Sequence, residues 1–168
     1  EKYAAELFPS LAEADVFLGC NDADRLLDSI ERSYREGGAD AVGTGHESAG
    51  GRVLTTPLHC AYLKIADGCS NHCTYCLIPK IRGRYRSYPM ERLVEEAASL
   101  GDLSELILVA QDTTRYGEDL YGENRFVELI RRLSALDNTE TIRLLYCYPD
   151  VIGDELIDEL ADNPKLVK

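Results

Sequence analysis

Three cysteines within eight residues are the feature of this sequence best suited to chemistry. Cys69, Cys73 and Cys76 have the spacing C-x3-C-x2-C and follow a short apolar run at residues 62–66. A loop that leaves a strand can fold three sulfurs around one point, and thiolates are common ligands of zinc and of iron–sulfur clusters. A closed site of either kind normally takes four protein ligands. Three thiolates therefore predict a cluster in which one iron has no protein ligand and can bind a small molecule.

A structural zinc site is the main alternative, because it would need only one further ligand. His72 lies inside the loop, where it would have to turn inward with its neighbours, whereas His59 and Cys60 precede the strand. A disulfide would suit a secreted protein, but the sequence shows no secretion signal. Of the six cysteines, three are clustered and three are isolated, a pattern that does not suggest a disulfide scaffold and fits a reducing compartment, the cytoplasm.

The residues around the three cysteines resemble the cluster loop of the radical S-adenosylmethionine (SAM) enzymes, in which an aromatic residue such as Tyr75 precedes the last cysteine. The flanks at residues 62–69 (YLKIADGC) and 78–83 (IPKIRG) resemble the methylthiotransferases. Residues 111–117 (QDTTRYG) resemble the branch that modifies an aspartate of a small-subunit ribosomal protein, the RimO branch. The branch that modifies transfer RNA has a different sequence there.

The resemblance implies that Cys69, Cys73 and Cys76 hold a [4Fe–4S] cluster whose open iron chelates SAM. One electron from the cluster then cleaves SAM to a 5′-deoxyadenosyl radical, which takes a hydrogen from the β-carbon of the substrate aspartate, and a methylthio group fills the position. The implied partners are a small-subunit ribosomal protein or the ribosome and an electron donor such as flavodoxin.

The family also implies a second [4Fe–4S] cluster, held by three cysteines of an N-terminal domain. Cys20 matches none of those positions, so we interpret it as a small apolar residue beside a turn. Complete methylthiolation is therefore not expected from this stretch of sequence alone.

Several other residues are candidates for contacts with SAM or substrate. We expect Tyr75 either to lie beside the adenine or to pack under the loop. Gln111, Asp112 and Thr113 follow an apolar strand and could contact cofactor or substrate, although Asp and Thr also favour helix caps. Cys147 is expected to be a buried free thiol.

A basic run interrupts an otherwise acidic chain and consists of Lys80, Arg82, Arg84 and Arg86. It could neutralise the cluster, bind a carboxylate, contact the ribosome or form a solvated surface. The whole chain of 168 residues carries a formal net charge of −12, which disfavours direct binding of nucleic acid. No run is long and apolar enough to predict a membrane span.

The pattern of elements predicts an α/β fold. Residues 1–36 contain a strand at 14–18 and a helix from Asn21 to about residue 35, similar to the end of the N-terminal methylthiotransferase domain. A glycine-rich linker follows at residues 37–60, with the domain boundary near residue 55. Residues 61–168 then alternate strands at 61–66, 106–110 and 141–146 with helices that begin at Pro89, contain Phe126–Leu136 and end before Asn163.

Such alternation favours parallel strands with right-handed crossovers, here about three βα units that form part of a radical-SAM β/α barrel. The loops that follow the strands should meet on one face. The main functional alternatives are a tRNA-adenosine methylthiotransferase and a non-catalytic zinc or iron–sulfur module. An electron-transfer protein would need a fourth cysteine at suitable spacing.

Overall fold

The chain divides into two compact units, Glu1–Val53 and Leu54–Lys168, in a computed structural model. The structure describes residues 8–11, 13–19, 25–36, 40–42, 55–57 and 59–167. Its strands are β1 (Val16–Leu18), β2 (Asp40–Val42), β3 (Cys60–Lys64), β4 (Ala66–Asp67), β5 (Arg86–Ser87), β6 (Leu103–Val109) and β7 (Thr139–Leu144). Its α-helices are α1 (Leu26–Glu36), α2 (Ile78–Ile81), α3 (Met90–Ala98), α4 (Glu118–Tyr121), α5 (Phe126–Ser134) and α6 (Asp154–Asp162).

The first unit contains a parallel β–α–β arrangement, in which β1 and β2 pair and α1 lies between them in sequence. The predicted strand and helix are present, but Cys20 and Asn21, the predicted start of the helix, lie outside the described residues. Strand β2 lies within residues 37–60, which the sequence analysis interprets as a linker. A strand of three residues has too little alternation to stand out from a glycine-rich sequence, and its pairing with β1 is not local.

The second unit is built on a parallel sheet with the strand order β3–β6–β7. The middle strand, β6, is buried on both faces, as its unbroken apolar run predicts: Leu106, Ile107 and Leu108 are all at most 6% exposed. A further parallel bridge joins Ile142 of β7 to Leu166. The α/β fold with parallel strands is confirmed, and the described residues do not form a closed barrel.

Helices α3, α5 and α6 cover the sheet with apolar faces at helical spacing. Leu93 and Ala97 of α3, and Leu129, Ile130 and Leu133 of α5, are completely buried in the same core as β6. Pro89 is the N-cap of α3, and α6 ends before Pro164, as the sequence predicts. These helices fix the strands, whose carboxyl ends carry the loops that hold the three cysteines and Gln111.

The predicted first strand, 61–66, is two elements in the structure. The sheet strand ends at Lys64, and Ala66–Asp67 form β4, which pairs antiparallel with β5. Ile65 and Ala66 are both fully buried, so the apolar run continues although the pairing partner changes. The other predicted strands differ from β6 and β7 only at their ends. No helix in the described ranges is both long and apolar enough to cross a membrane.

Candidate metal centre

The loops after the three parallel strands meet at one cavity of about 540 Å³. It is lined by Lys64 at the end of β3, by Cys69, Asn71, Cys73, Cys76 and Ile78 from the following loop, by Val109, Ala110 and Gln111 after β6, and by Tyr146 and Tyr148 after β7. The predicted convergence of these loops on one face is therefore present. We call residues 68–85, which join β4 to β5 and include α2, the cysteine loop.

Cys69, Cys73 and Cys76 are half-buried free thiols, and all three line the cavity. Within the described part of the chain, no three His, Cys, Asp or Glu side chains are grouped closely enough to hold a single metal ion. Three thiols that line one cavity are the donor set of a cluster in which each thiolate binds a different iron.

The two ends of the cysteine loop are held together at Gly68. This residue has a φ of +71°, and a Cβ on it would lie 2.2 Å from the carbonyl oxygen of Arg84. The next amide, that of Cys69, donates to the Gly83 carbonyl over 3.2 Å, and the Tyr85 amide donates to the Ser70 hydroxyl over 3.2 Å. Only glycine permits this close crossing of the backbone.

Asp112 ties the cysteine loop to the end of β6. Its carboxylate is 1% exposed and accepts hydrogen bonds from the Asn71 side-chain amide over 2.7 Å and from the Thr114 amide and hydroxyl over 3.1 and 2.5 Å. Arg115 donates to the other end of the Asn71 amide over 2.8 Å and lies 3.5 Å from Asp112. The carboxylate is thus held by protein donors and positions the loop that carries the cysteines.

Thr113 ties the end of β6 to the loop after β7. Its amide donates to the carbonyl of Tyr146 over 3.1 Å, and its hydroxyl donates to the carbonyl of Leu145 over 2.9 Å. The same hydroxyl lies 3.4 Å from the sulfur of Cys147. Cys147 is a free thiol, as the sequence predicts, but it is half-buried where the sequence analysis expects it to be buried. Tyr146 itself has a φ of +61°, a conformation that is uncommon outside glycine.

Of the candidates after β6, Gln111 alone lines the cavity. Its side-chain oxygen is buried, and no group in the described ranges forms a hydrogen bond with it. A buried carbonyl oxygen without a donor is costly, so this atom is poised to accept a hydrogen bond from a ligand. Asp112 and Thr113 instead use their polar atoms on the protein.

Tyr75 is 89% exposed, so it does not pack under the loop, and it is not among the residues that line the cavity. Sequence reasoning assigned no role to Tyr146 and Tyr148, which do line it. The Tyr148 hydroxyl lies beside the sulfur of Cys73, and a hydrogen bond to this sulfur, together with the negative charge of its thiolate form, raises the pKa of Tyr148. The one sequence signal for a role of these two tyrosines in the cavity is their position directly after the predicted third strand.

Lys64 brings a positive charge to the wall of the cavity. Its ammonium group lies 2.8 Å from the carboxylate of Asp67, which is 4% exposed. Burial by itself would raise the pKa of Asp67, but the hydrogen bonds from Lys64 and from the Gly68 amide, with the charges of Lys64 and Arg82, hold it below its usual value. The basic run lies elsewhere: Lys80, Arg82, Arg84 and Arg86 are all exposed and do not line the cavity.

A family model described as the radical SAM superfamily matches residues 63–167, which include the sheet and all three cysteines. The chain belongs to the radical SAM superfamily. Its similarity to the curated protein named ribosomal protein uS12 methylthiotransferase RimO of Clostridium tetani is 51% identity, over 100% of this chain and 39% of that protein. The proteins of the same name from Clostridium kluyveri and Caldanaerobacter subterraneus subsp. tengcongensis are 46% and 45% identical.

The family model and these relatives confirm the resemblance recognised in the cysteine loop and in residues 111–117. The chain spans about two fifths of the length of these relatives: 39% of the Clostridium kluyveri protein and 40% of the Caldanaerobacter subterraneus protein. The match to the methylthiotransferases extends through both units of the chain and is not limited to the cysteine motif.

Proposed function

We propose that the protein containing this chain is a radical SAM methylthiotransferase that adds a methylthio group to the β-carbon of an aspartate in ribosomal protein uS12. The observation that carries the proposal is that three cysteines with the spacing of an open cluster line one cavity at the carboxyl ends of parallel strands. The identity of 51% to a protein named for this reaction supports the choice of substrate. No observation favours transfer RNA as the substrate.

Cys69, Cys73 and Cys76 are the proposed ligands of a [4Fe–4S] cluster, one iron each. With SAM bound, this cofactor pair supplies a one-electron cleavage of SAM and a radical able to remove hydrogen from an unactivated carbon. The cysteine loop brings the three thiols together because Gly68 closes its base and Asp112 holds Asn71 in its middle.

The remaining residues of the cavity bind and shield. Gln111 offers a buried oxygen to a hydrogen-bond donor of SAM or of the substrate. Asp112 and Thr113 do not contact the ligand in this proposal. They position the two loops on either side of Gln111, because Asp112 binds Asn71 and Thr113 binds the Tyr146 carbonyl. Tyr75 has a free ring at the rim of the loop and remains a proposed contact for the adenine. Ile78, Val109, Ala110 and the two tyrosines Tyr146 and Tyr148 give the cavity apolar and aromatic walls against which SAM could pack.

The domain assignment is part of the same proposal. Residues 1–36 would end an N-terminal methylthiotransferase domain, 37–60 would connect it, and 61–168 would form the first part of the radical SAM barrel. The second cluster and the electron donor would be supplied outside this chain. A ribosomal substrate places the reaction in the cytoplasm.

The proposal is tested with the intact protein, reconstituted anaerobically with iron and sulfide and supplied with SAM and dithionite. We expect mass spectrometry to detect one methylthio group on an aspartate of uS12 and none on a uS12 variant with asparagine at that position. Transfer RNA is assayed in parallel. Modification of transfer RNA alone would overturn the choice of substrate, and a colourless preparation with one zinc per chain would overturn the enzyme assignment.

A further inference from the structure

A second cavity, of about 470 Å³, adjoins the cavity that the three cysteines line. The two cavities have Asn71 and Tyr148 in common among their lining residues. None of the three cysteines lines the second cavity, so it lies beside the proposed cluster and does not hold it. A ligand that extends out of the cysteine cavity on this side would enter the second cavity.

The walls of the second cavity carry more negative than positive charge. Its charged lining residues are three acidic and one basic: Glu118, Asp119, Asp150 and Arg115. Arg115 donates to the Glu118 carboxylate over 3.0 Å and to the Asn71 side-chain oxygen over 2.8 Å. The carboxylates of Asp119 and Asp150 therefore have no cationic partner within 4.0 Å among the residues that the structure describes. We call this the acidic cavity.

The hydroxyl of Tyr85 independently indicates a ligand in the acidic cavity. Tyr85 lines the cavity and is 8% exposed, and its hydroxyl oxygen is buried without a hydrogen-bond partner in the described part of the chain. The Ser87 hydroxyl lies nearby, but it donates its hydrogen to Asp119 over 2.6 Å. Burial raises the pKa of Tyr85, and the charges of Asp112 and Asp119 raise it further, so the hydroxyl stays protonated. A buried oxygen that receives no donor is costly, and a cationic donor would satisfy it.

The acceptors of the acidic cavity suit an organic cation better than a metal ion. Among the described residues, no three His, Cys, Asp or Glu side chains are close enough to share one metal ion. Ammonium and guanidinium groups carry several N–H donors, which can reach carboxylate and phenol oxygens that lie further apart. A phosphate group would be repelled by the same carboxylates, which disfavours RNA as the occupant.

We propose that the acidic cavity binds a lysine or arginine side chain of the protein substrate, close in sequence to the aspartate that is modified. This inference rests on the proposed function and makes Tyr85 and Asp150 specificity determinants of that reaction. A cavity of this volume is about 10 Å across, which an extended chain spans in about three residues at roughly 3.3 Å each. The basic residue should therefore lie within about three positions of the target aspartate, which enters the cysteine cavity.

The test measures methylthiolation by the intact, reconstituted protein at a series of uS12 concentrations. The variant Tyr85→Phe/Asp150→Asn removes the unpartnered hydroxyl and one carboxylate of the acidic cavity. Its matched control, Tyr62→Phe/Asp137→Asn, makes the same two chemical changes at exposed positions that line neither cavity. In uS12, each lysine and arginine within three positions of the modified aspartate is replaced in turn by glutamine. Iron content and thermal unfolding check that each variant is folded.

We expect Tyr85→Phe/Asp150→Asn to raise the KM for uS12 at least about tenfold with little change in kcat, because a hydrogen bond and an ion pair to the bound cation are lost. One of the glutamine substitutions in uS12 should raise the KM of the wild-type protein by a similar factor and should have little further effect on the variant. Such non-additivity is expected of groups in contact. The control should match wild type. Asp150→Lys, at an exposed position, should also raise the KM, through repulsion, and replaces the double variant if Tyr85→Phe impairs folding.

An equal KM for wild type and the acidic-cavity variants would overturn the inference, and the same result is expected if another part of the polypeptide fills the cavity. Fully additive effects of the cavity and uS12 substitutions would also overturn it, since the cavity would then hold no basic side chain of the substrate. A wild-type protein that cleaves SAM but leaves uS12 unmodified would, by contrast, contradict the proposed function itself.

Discussion

The side-chain amide of Asn71 donates a 2.7 Å hydrogen bond to the carboxylate of Asp112, which lies 41 residues further along the chain. The bond joins the middle of the cysteine loop to the end of the central strand of the sheet. Because Asp112 is 1% exposed and bonded to Thr114 as well, it is a rigid acceptor. The position of the cysteines is therefore set by the sheet and not by the loop alone.

Replacing Asp112 by alanine should loosen the cysteine loop. The change removes a charged acceptor from the Asn71 and Thr114 donors, so the free energy of unfolding should fall by roughly 2–3 kcal/mol. Denaturant unfolding measures this loss, and iron content after reconstitution should fall with it. Asp137→Ala, at an exposed position, is the control and should stay within about 0.5 kcal/mol of wild type. A stable Asp112→Ala protein with full iron content would contradict the positioning role.

Gly68→Ala should be far more damaging than Gly101→Ala. Both glycines have similar dihedral angles, φ +71° and +74°, so both alanine variants bear about 1 kcal/mol or more of backbone strain. Only at position 68 does the new Cβ meet backbone, 2.2 Å from the Arg84 oxygen. Thermal unfolding and iron content measure the difference. Equal effects of the two substitutions would mean that the close crossing at Gly68 does not hold the loop.

Each of Cys69→Ala, Cys73→Ala and Cys76→Ala should lose most of the iron and the ability to cleave SAM, since each thiolate is proposed to bind one iron. Cys60→Ala should retain both, because Cys60 lies in β3 and does not line the cavity. Iron and sulfide analysis with an assay for 5′-deoxyadenosine provides the measurement. Cleavage of SAM that persists in all three variants would refute the assignment of these ligands.

Asp67→Asn should lower stability at neutral pH and not at acid pH. The folded-state pKa of Asp67 lies below its ordinary value of 3.8, so the charged form stabilises the fold above that value and the contribution is lost as the pH falls through the folded pKa. The difference in unfolding free energy between wild type and Asp67→Asn should be constant above about pH 5 and shrink toward lower pH. A difference that persists unchanged at pH 2–3, about one unit or more below 3.8, would exclude the ion pair with Lys64 as its source.

The sequence by itself determined the features that are local. The spacing of Cys69, Cys73 and Cys76 fits within one loop, and the apolar run of residues 106–110 is long enough to predict a buried parallel strand without knowledge of its neighbours. The strand–helix alternation then placed three loops on one face, because parallel strands present their carboxyl ends at the same edge.

Only the tertiary structure decided which polar residues face the cavity. Gln111, Asp112 and Thr113 are consecutive and similar in sequence character, yet Gln111 lines the cavity while Asp112 and Thr113 bond to groups 41 and 32 residues away. The pairing of β4 with β5 and of β1 with β2 was equally hidden from the sequence. Such partners meet through packing of distant segments, and the free energy of those contacts leaves no periodic pattern along the chain.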